Sequence, residues 1–570
     1  MSAATATLRA GAPARHRATQ GRESLVATVL VWGLCAILAL IIALPLWALL
    51  SKSFQNADGG FIGLANYLRY VSTPTLFVSL LNSVMIAALT TVIVVPLGFV
   101  YAYALTRSCM RLKPLFYALA LLPIFAPSLL SALALIYVFG NQGLLKGWLV
   151  GGSIYGPIGI VAGQVFYCLP YSVLIMVTAL SIADGRLYEA AEALGTSRAR
   201  VFRTVTLPGA RYGLISALFV VFTLSVTDFG IAKVIGGNFA VLATDAYKQV
   251  VGQQDFEMGA VVGMILLIPA VIAFLVERAA QKRQVALLSA RAVPFEPRRR
   301  FGRDALLTLY CLVVGGLVLA LYGVAVWASF IRYWPYNLSL TTANYDFANF
   351  EPTGWQPYFN SVVMSAAVAV IGTVLVFTGA YVVEKLKVAP IGRQVASFLA
   401  LLPMAVPGLV LGLGYVFFFN ASWNPLNVLY GTLTILVINC IAHFYTTGHI
   451  TATTALKQID PEFEAVSAAL KVPFWVTFRR VMVPISMPAI LDIAVFMFVN
   501  ALTTVSAVIF LYGGDSKLAS VAIVHMDEAG AIAAAAAMAT CILFTAILVR
   551  GLHILVERTL LARLQVWRRR

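Results

Sequence analysis

Few side chains in this 570-residue sequence could do chemistry, and those that could sit in apolar surroundings where an ionisable group is expensive to keep. Asp228 and Lys233 stand in "SVTDFGIAKVIGG", where a carboxylate and an ammonium could meet the two charges of a zwitterionic solute. Their spacing of five is not a same-face helical pairing, so a direct ion pair is not implied. The alternative is that each snorkels to an interface or pairs with another span. "HFYTTGH" (443–449) offers the imidazoles of His443 and His449, but a spacing of six sets them apart around a helix, which is poor geometry for one metal ion. Hydrogen bonding between helices is the other use for such groups. Gln164, Tyr167 and Tyr171, with Thr503, complete the polar set, to be read as pathway lining or as packing.

What is absent bounds the chemistry further. No nucleophile, base and orienting group occur together, so no catalytic residue is assigned. The sequence has no G-x-x-x-x-G-K-[ST] loop and no Gly-Lys dipeptide, so it is not expected to cradle ATP or to bind a cofactor itself. Six cysteines (Cys35, Cys109, Cys168, Cys311, Cys440, Cys541) show no paired spacing, which argues against a disulfide framework or a metal cluster.

The elements that must position these residues are membrane helices. The chain is 61% hydrophobic and 11% charged, whereas soluble domains carry roughly 25% charged residues. The run at 25–50 has no charge and exceeds the roughly 20 residues that cross a bilayer as a helix. Similar runs near 79–104, 115–139, 158–180, 211–235, 259–276, 307–331, 359–384, 395–419, 427–450, 487–512 and 530–555 bring the expectation to about twelve spans. Net charge is +17, yet alternating the chain across twelve spans leaves only Lys52, Arg69, Lys146, Lys233, Lys248, Arg332 and Lys517 of its 40 basic residues on the outer side. That is a positive-inside pattern, so both termini are expected in the cytoplasm and the charge calls for no nucleic acid.

The spans fall into two copies of one design. "LLP" at 121–123 with Pro127 matches "LLP" at 401–403 with Pro407, "LNSV" at 81–84 answers "FNSV" at 359–362, and "ANY" and "VER" each recur, all at offsets of 278 to 280. Six spans per copy give both the same orientation, related by an axis along the membrane normal. Between them, 278–305 is basic and Pro-containing and reads as a flexible cytoplasmic linker; 1–22 and 557–570 read as a disordered basic arm and a basic tail.

One polar stretch interrupts each half before its fifth span: "EAAEALGTSRARVFRTVTLP" (189–208) and "FEAVSAALKVPFWVTFRRVMVP" (463–484). The first is expected to form a helix with small Ala190, Ala191 and Ala193, a turn at Gly195, a second short helix capped by Ser197, and a break at Pro208. Asp184, Phe202, Val205 and Pro208 recur at an offset of 276 as Asp460, Phe478, Val481 and Pro484. By the same offset Glu189 becomes Ala465, Ala191 becomes Ser467 and Gly195 becomes Lys471, while Glu464 lies one position early.

"EAAEALG" followed by "F..V.LP" resembles the motif of binding-protein-dependent ABC importer permeases, here fused as two permeases in one chain like ferric-iron, thiamine and phosphonate systems. "TDFGIAKVIGG" and "FEAVSAALKVPFW" look most like permeases for 2-aminoethylphosphonate, with ferric iron and thiamine as the alternative solutes. The resemblance implies an all-α polytopic membrane protein of type I ABC importer permease fold, with transmembrane domains over 76–277 and 357–556 and an added opening helix in each half (25–50 and 307–331), in a bacterial inner membrane. It implies coupling helices that insert into clefts on a separate ATP-binding subunit dimer, which holds ATP and Mg, and an extracytoplasmic solute-binding protein that delivers the ligand. By position the coupling residues are Glu189, Ala190, Ala191, Gly195, Phe202 and Pro208, with Glu464, Ala465, Lys471, Phe478 and Pro484 in the altered second copy. A twelve-span ion-coupled secondary transporter, needing no ATPase, is the alternative from another class.

Overall fold

The computed structural model describes residues 14–286, 293 and 295–561, and the chain is an all-α polytopic membrane protein. Among the described residues nine helices are long and apolar enough to cross a membrane. Three further pairs are bent: Lys113–Phe125 with Ser128–Phe139 by 101°, Pro390–Ala405 with Gly408–Phe419 by 116°, and Phe474–Ile485 with Met487–Thr503 by 76°. Counting each pair as one span gives twelve. A two-stranded hairpin, Ile331–Tyr333 with Asn337–Leu340, precedes the second half's first domain helix.

The first two bends explain the repeated prolines. Pro123 and Pro403 lie in 3-10 turns, the chain turns extended at Ala126 and Val406, and Pro127 and Pro407 start a new helix in a new direction. Proline has no N–H to continue the helix and biases its predecessor toward extended backbone. The straight spans expected over 115–139 and 395–419 are therefore broken helices. Just after each bend two backbones cross closely. A Cβ on Gly230 would collide with Ser128 Oγ, and a Cβ on Gly408 would reach 2.9 Å from Ser506 Oγ. Ser128 aligns with Gly408 and Gly230 with Ser506, so each half solves the same crossing with one serine and one glycine on exchanged sides.

The other repeated motifs are staples. Asn66 Nδ2 donates to the carbonyls of Ser53 and Gln55, and Asn344 Nδ2 to those of Ser329 and Ile331, closing the chain back onto the end of each half's opening helix. Ser83 Oγ accepts from Leu242 N at 2.7 Å and Ser361 Oγ from Ala519 N at 2.8 Å, tying the same two segments in each half.

The opening helices are exchanged between halves. Tyr415 Oη of the second half donates to Ile41 O of the first helix at 2.7 Å, while Tyr310, on helix Phe301–Ser329, donates to Leu97 O at 2.8 Å and Tyr322 pairs with Ser131 at 2.6 Å. In lipid, such interhelical bonds stabilise by about 0.6–2 kcal/mol each.

Three expectations change at the ends of elements. The first helix begins at Ala14, so part of the stretch expected as a disordered arm over 1–22 is helical, and residues 1–13 lie outside those described. The helix Phe256–Ala286 runs past the expected start of the linker, and residues 293 and 295–300, expected to be flexible, are docked on the first half. Of the basic tail, 557–561 continue the last helix, and 562–570 lie outside the described residues.

Candidate coupling loops and central cavity

Both polar interruptions fold as a helix, a left-handed turn and a second helix. Asp184 accepts from Arg186 N at 3.1 Å and opens the helix Gly185–Ala193; Asp460 accepts from Glu462 N at 2.9 Å and opens Glu462–Ala469. Each carboxylate satisfies an otherwise orphaned helix N–H. At the far end Gly195 takes φ +64° and Lys471 takes φ +54°, each followed by an N–H bonded five residues back: Thr196 to Ala191 O and Val472 to Ser467 O. The second turn thus keeps its shape without glycine. A left-handed non-glycine residue costs roughly 1–2 kcal/mol, and no atom lies within 4 Å of a Cβ placed on Gly195. Lys471→Gly is therefore expected to raise the thermal unfolding midpoint, and Gly195→Ala to lower it by conformational cost alone.

The loops join their spans differently. In the first half Arg198–Thr227 is one helix, with a π-turn over Phe202–Thr206 leading into Leu207 and Pro208. Pro208 was expected to break the helix and does not; it sits in the first turn after the π-turn, where a missing N–H is tolerated. In the second half the π-turn Phe478–Met482 is followed by the 76° bend at Ser486, two residues beyond Pro484 and just before Pro488.

Phe202 and Phe478 anchor the loops. Phe202 packs edge-on against Phe99 and Tyr103 at 6.0 and 6.2 Å, and Phe478 against Phe377 and Tyr381 at 5.9 and 4.7 Å. The partners are offset by 278 and lie on the second span of each half, so each loop is packed directly on that span. Glu189 and Ala190 are exposed and Ala191 is half-buried; Ala465 is exposed. Glu464 is instead half-buried and ion-paired with Lys385. Glu189→Ala is expected to lower uptake more than Glu464→Ala, whose first effect is on stability; uptake rates normalised to folded protein check this.

Sequence reasoning missed the apolar tips. Leu187 and Leu194 point outward on the first loop, Leu194 82% exposed, and Phe463 and Leu470 do so at the same offset of 276, Leu470 70% exposed. The signal was available: two apolar residues seven apart in a water-facing stretch, repeated in both halves. Both loops thus present a pair of exposed apolar side chains at matching positions.

Between the halves lies a cavity of about 340 Å³. Of the pathway candidates, Asp228, Tyr167, His443 and Thr503 line it, joined by Tyr171, which the sequence had also marked, and by Thr227, which it had not. Tyr167 and His443 are equivalent by the offset of 276. Asp228 does not sit within a fifth span. The helix ends at Thr227, and the carboxylate accepts from Ile231 N at 2.9 Å, starting the short helix Gly230–Ile235. Lys233 is outside the cavity lining, paired with Glu528 at 2.6 Å and lying over Tyr247. Gln164 is fully engaged in holding helices together: its Oε1 accepts from Thr90 at 3.0 Å and from Ser225, and its Nε2 donates to Ser225 O at 3.0 Å. His449 is buried outside the cavity, stacked on Tyr445. Among the lining residues Asp228 is the one carboxylate, and neither Lys nor Arg contributes.

Two six-span halves, a polar cavity between them and a matched pair of docking-type loops define a permease built from two fused copies. The chain belongs to the family of binding-protein-dependent transport system inner membrane components, whose model matches residues 94–285 and 376–560. It is similar to a putative ferric transport system permease of Haemophilus influenzae, 27% identical over 524 residues that cover 89% of this chain and 80% of the relative. A ferric transport system permease of Actinobacillus pleuropneumoniae is 26% identical over 91% of this chain and 76% of its own. A molybdenum transport system permease of Mycobacterium tuberculosis matches at 31% identity, over 36% of this chain and 79% of its own. The chain is thus an ABC importer permease, and the secondary-transporter alternative falls away.

Proposed function

We propose that this permease imports a small solute carrying a positive charge. ATP hydrolysis on a separate subunit dimer, docked at the two coupling loops, drives it, and an extracytoplasmic binding protein supplies it. The observation that carries the solute class is the cavity itself, where Asp228 is the one charged group amid the hydroxyls of Ser128, Tyr167, Tyr171, Thr227 and Thr503. In that surrounding a carboxylate favours a cationic partner. The coupling route runs through Phe202 and Phe478: closure of the ATPase dimer shifts the loops, the two phenylalanines carry the shift to the second spans, and the cavity changes its side of access.

The leading named solute is 2-aminoethylphosphonate, whose ammonium would face Asp228 and whose phosphonate oxygens would accept from the hydroxyls. With Lys233 held by Glu528, no lysine would share that task. Ferric iron is the second reading, favoured by the two relatives that match nearly the whole chain. Among the described residues no group of three His, Cys, Asp or Glu could hold a resident metal ion, but a solute that only passes through the cavity requires none, and Asp228, Tyr167 and Tyr171 offer it oxygen donors. Titrating the cognate binding protein with each ligand by calorimetry decides between them. Tight binding of 2-aminoethylphosphonate supports the first reading, and tight iron binding with no phosphonate response replaces it with the second.

A further inference from the structure

The described linker residues, 293 and 295–300, are tied to the first coupling loop and to the end of the second span. Gly185 N donates to Val293 O at 2.8 Å, Val293 N to Asp184 Oδ1 at 3.3 Å, and Cys109 Sγ to Pro297 O at 3.0 Å, while Phe295 packs on Tyr188 with ring centres 4.5 Å apart. Loop and linker enclose a cavity of about 730 Å³, within the range that holds small-molecule ligands.

Its lining carries five guanidinium groups, Arg107, Arg198, Arg298, Arg300 and Arg303, against three carboxylates, Glu189, Glu192 and Glu296, so basic groups are in excess. Arg298 is paired with Glu192 at 2.9 Å and Arg303 with Asp304 at 2.7 Å. Arg107, Arg198 and Arg300 have no carboxylate within ion-pair distance among the described residues. Arg107 is the telling one, being only 3% exposed. It donates to Leu180 O at 2.8 Å, lies over the rings of Tyr188 and Phe295 at 4.9 and 4.4 Å, and has a buried Nε without a partner. Aromatic faces offset part of the cost of burying a cation, but a buried charge without a counter-ion remains strongly unfavourable. Planar guanidinium forks match phosphate oxygens in pairs, which suits the arginines of this lining that no carboxylate neutralises.

We propose that this cavity binds a phosphate-bearing ligand, which pins the linker to the first coupling loop. The second coupling loop has Lys385 paired with Glu464 instead, so the device would act on one loop only. A soluble phosphate ester and an anionic lipid headgroup share the required chemistry, and the experiment separates them. The full chain in complex with its ATPase is followed by hydrogen exchange over residues 185–200 and 293–300, in detergent with inorganic phosphate or AMP added, and in nanodiscs with phosphatidylglycerol in place of phosphatidylcholine. Saturable protection by phosphate or AMP assigns a soluble ester; protection by phosphatidylglycerol alone assigns a lipid headgroup. In Arg300→Gln on the linker, and in Arg198→Gln on the coupling loop, the midpoint is expected to move to about tenfold higher probe concentration, with Arg300→Lys intermediate. Arg198 is an exposed loop residue, so its variant carries the test even if Arg300→Gln folds poorly. The proposal is overturned if no probe changes exchange in these segments, or if both glutamine variants respond as the unaltered protein does.

Discussion

Aspartate at both Leu194 and Leu470 is expected to abolish ATP-dependent uptake by stripping the ATPase from a permease that still folds. Each leucine is the most exposed apolar residue of its loop and packs against little of its own chain. Burying one leucine in a partner's cleft stabilises by roughly 2 kcal/mol. Losing two therefore weakens association by about a thousandfold, and each new carboxylate adds a desolvation cost in the cleft. Co-purification of the ATPase subunits with the variant checks this, with thermal unfolding of the permease as the control. An ATPase retained at normal stoichiometry would remove the loops from the docking surface. The single variants are expected to differ, because the first loop runs straight into its span while the second is set off by the 76° bend.

Asp228→Asn is the second large effect, and it should spare what the leucine variants destroy. An asparagine Oδ1 can still accept from Ile231 N, so the turn into Gly230–Ile235 stays closed while the cavity loses its one carboxylate. A hydrogen bond to a charged group is worth about 1.5–3 kcal/mol, so uptake is expected to fall roughly ten- to hundredfold with ATPase assembly intact. Uptake measured at saturating binding protein reads the loss. If the Asn variant transports at the original rate, the solute does not meet Asp228, and a cationic solute is no longer required.

The membrane spans, the duplication and the loops were legible because each rests on a strong local signal: long uncharged runs, offsets that recur within two residues, and a polar stretch where apolar sequence should continue. The offset of 276 even predicted which residue of the second loop would occupy the turn, since Lys471 adopts the left-handed backbone of Gly195. What was not legible depended on contacts between distant segments. Nothing near Lys233 in sequence announces Glu528, and nothing near Gln164 announces Thr90 and Ser225, so both looked as free to line a pathway as Tyr167 did. Pro127 and Pro407 were visible as repeat markers, yet their 101° and 116° bends need the glycine–serine crossings that lie about a hundred residues away in the chain. The linker misled for the opposite reason. Its proline and arginine content reads as flexible, and only the docking of Phe295 on Tyr188 and Arg107 shows its described residues to be part of the first loop's support.

The two loops are proposed to receive the work of ATP hydrolysis and to pass it to the cavity through Phe202 and Phe478. The most direct test is solute uptake into proteoliposomes holding this chain, its ATPase subunits and its binding protein, measured with ATP alone and with an ion gradient alone. The account predicts uptake with ATP, none with the gradient, and near-complete loss when both phenylalanines are replaced by alanine while ATPase docking persists. Uptake driven by the ion gradient in the absence of ATP would contradict it.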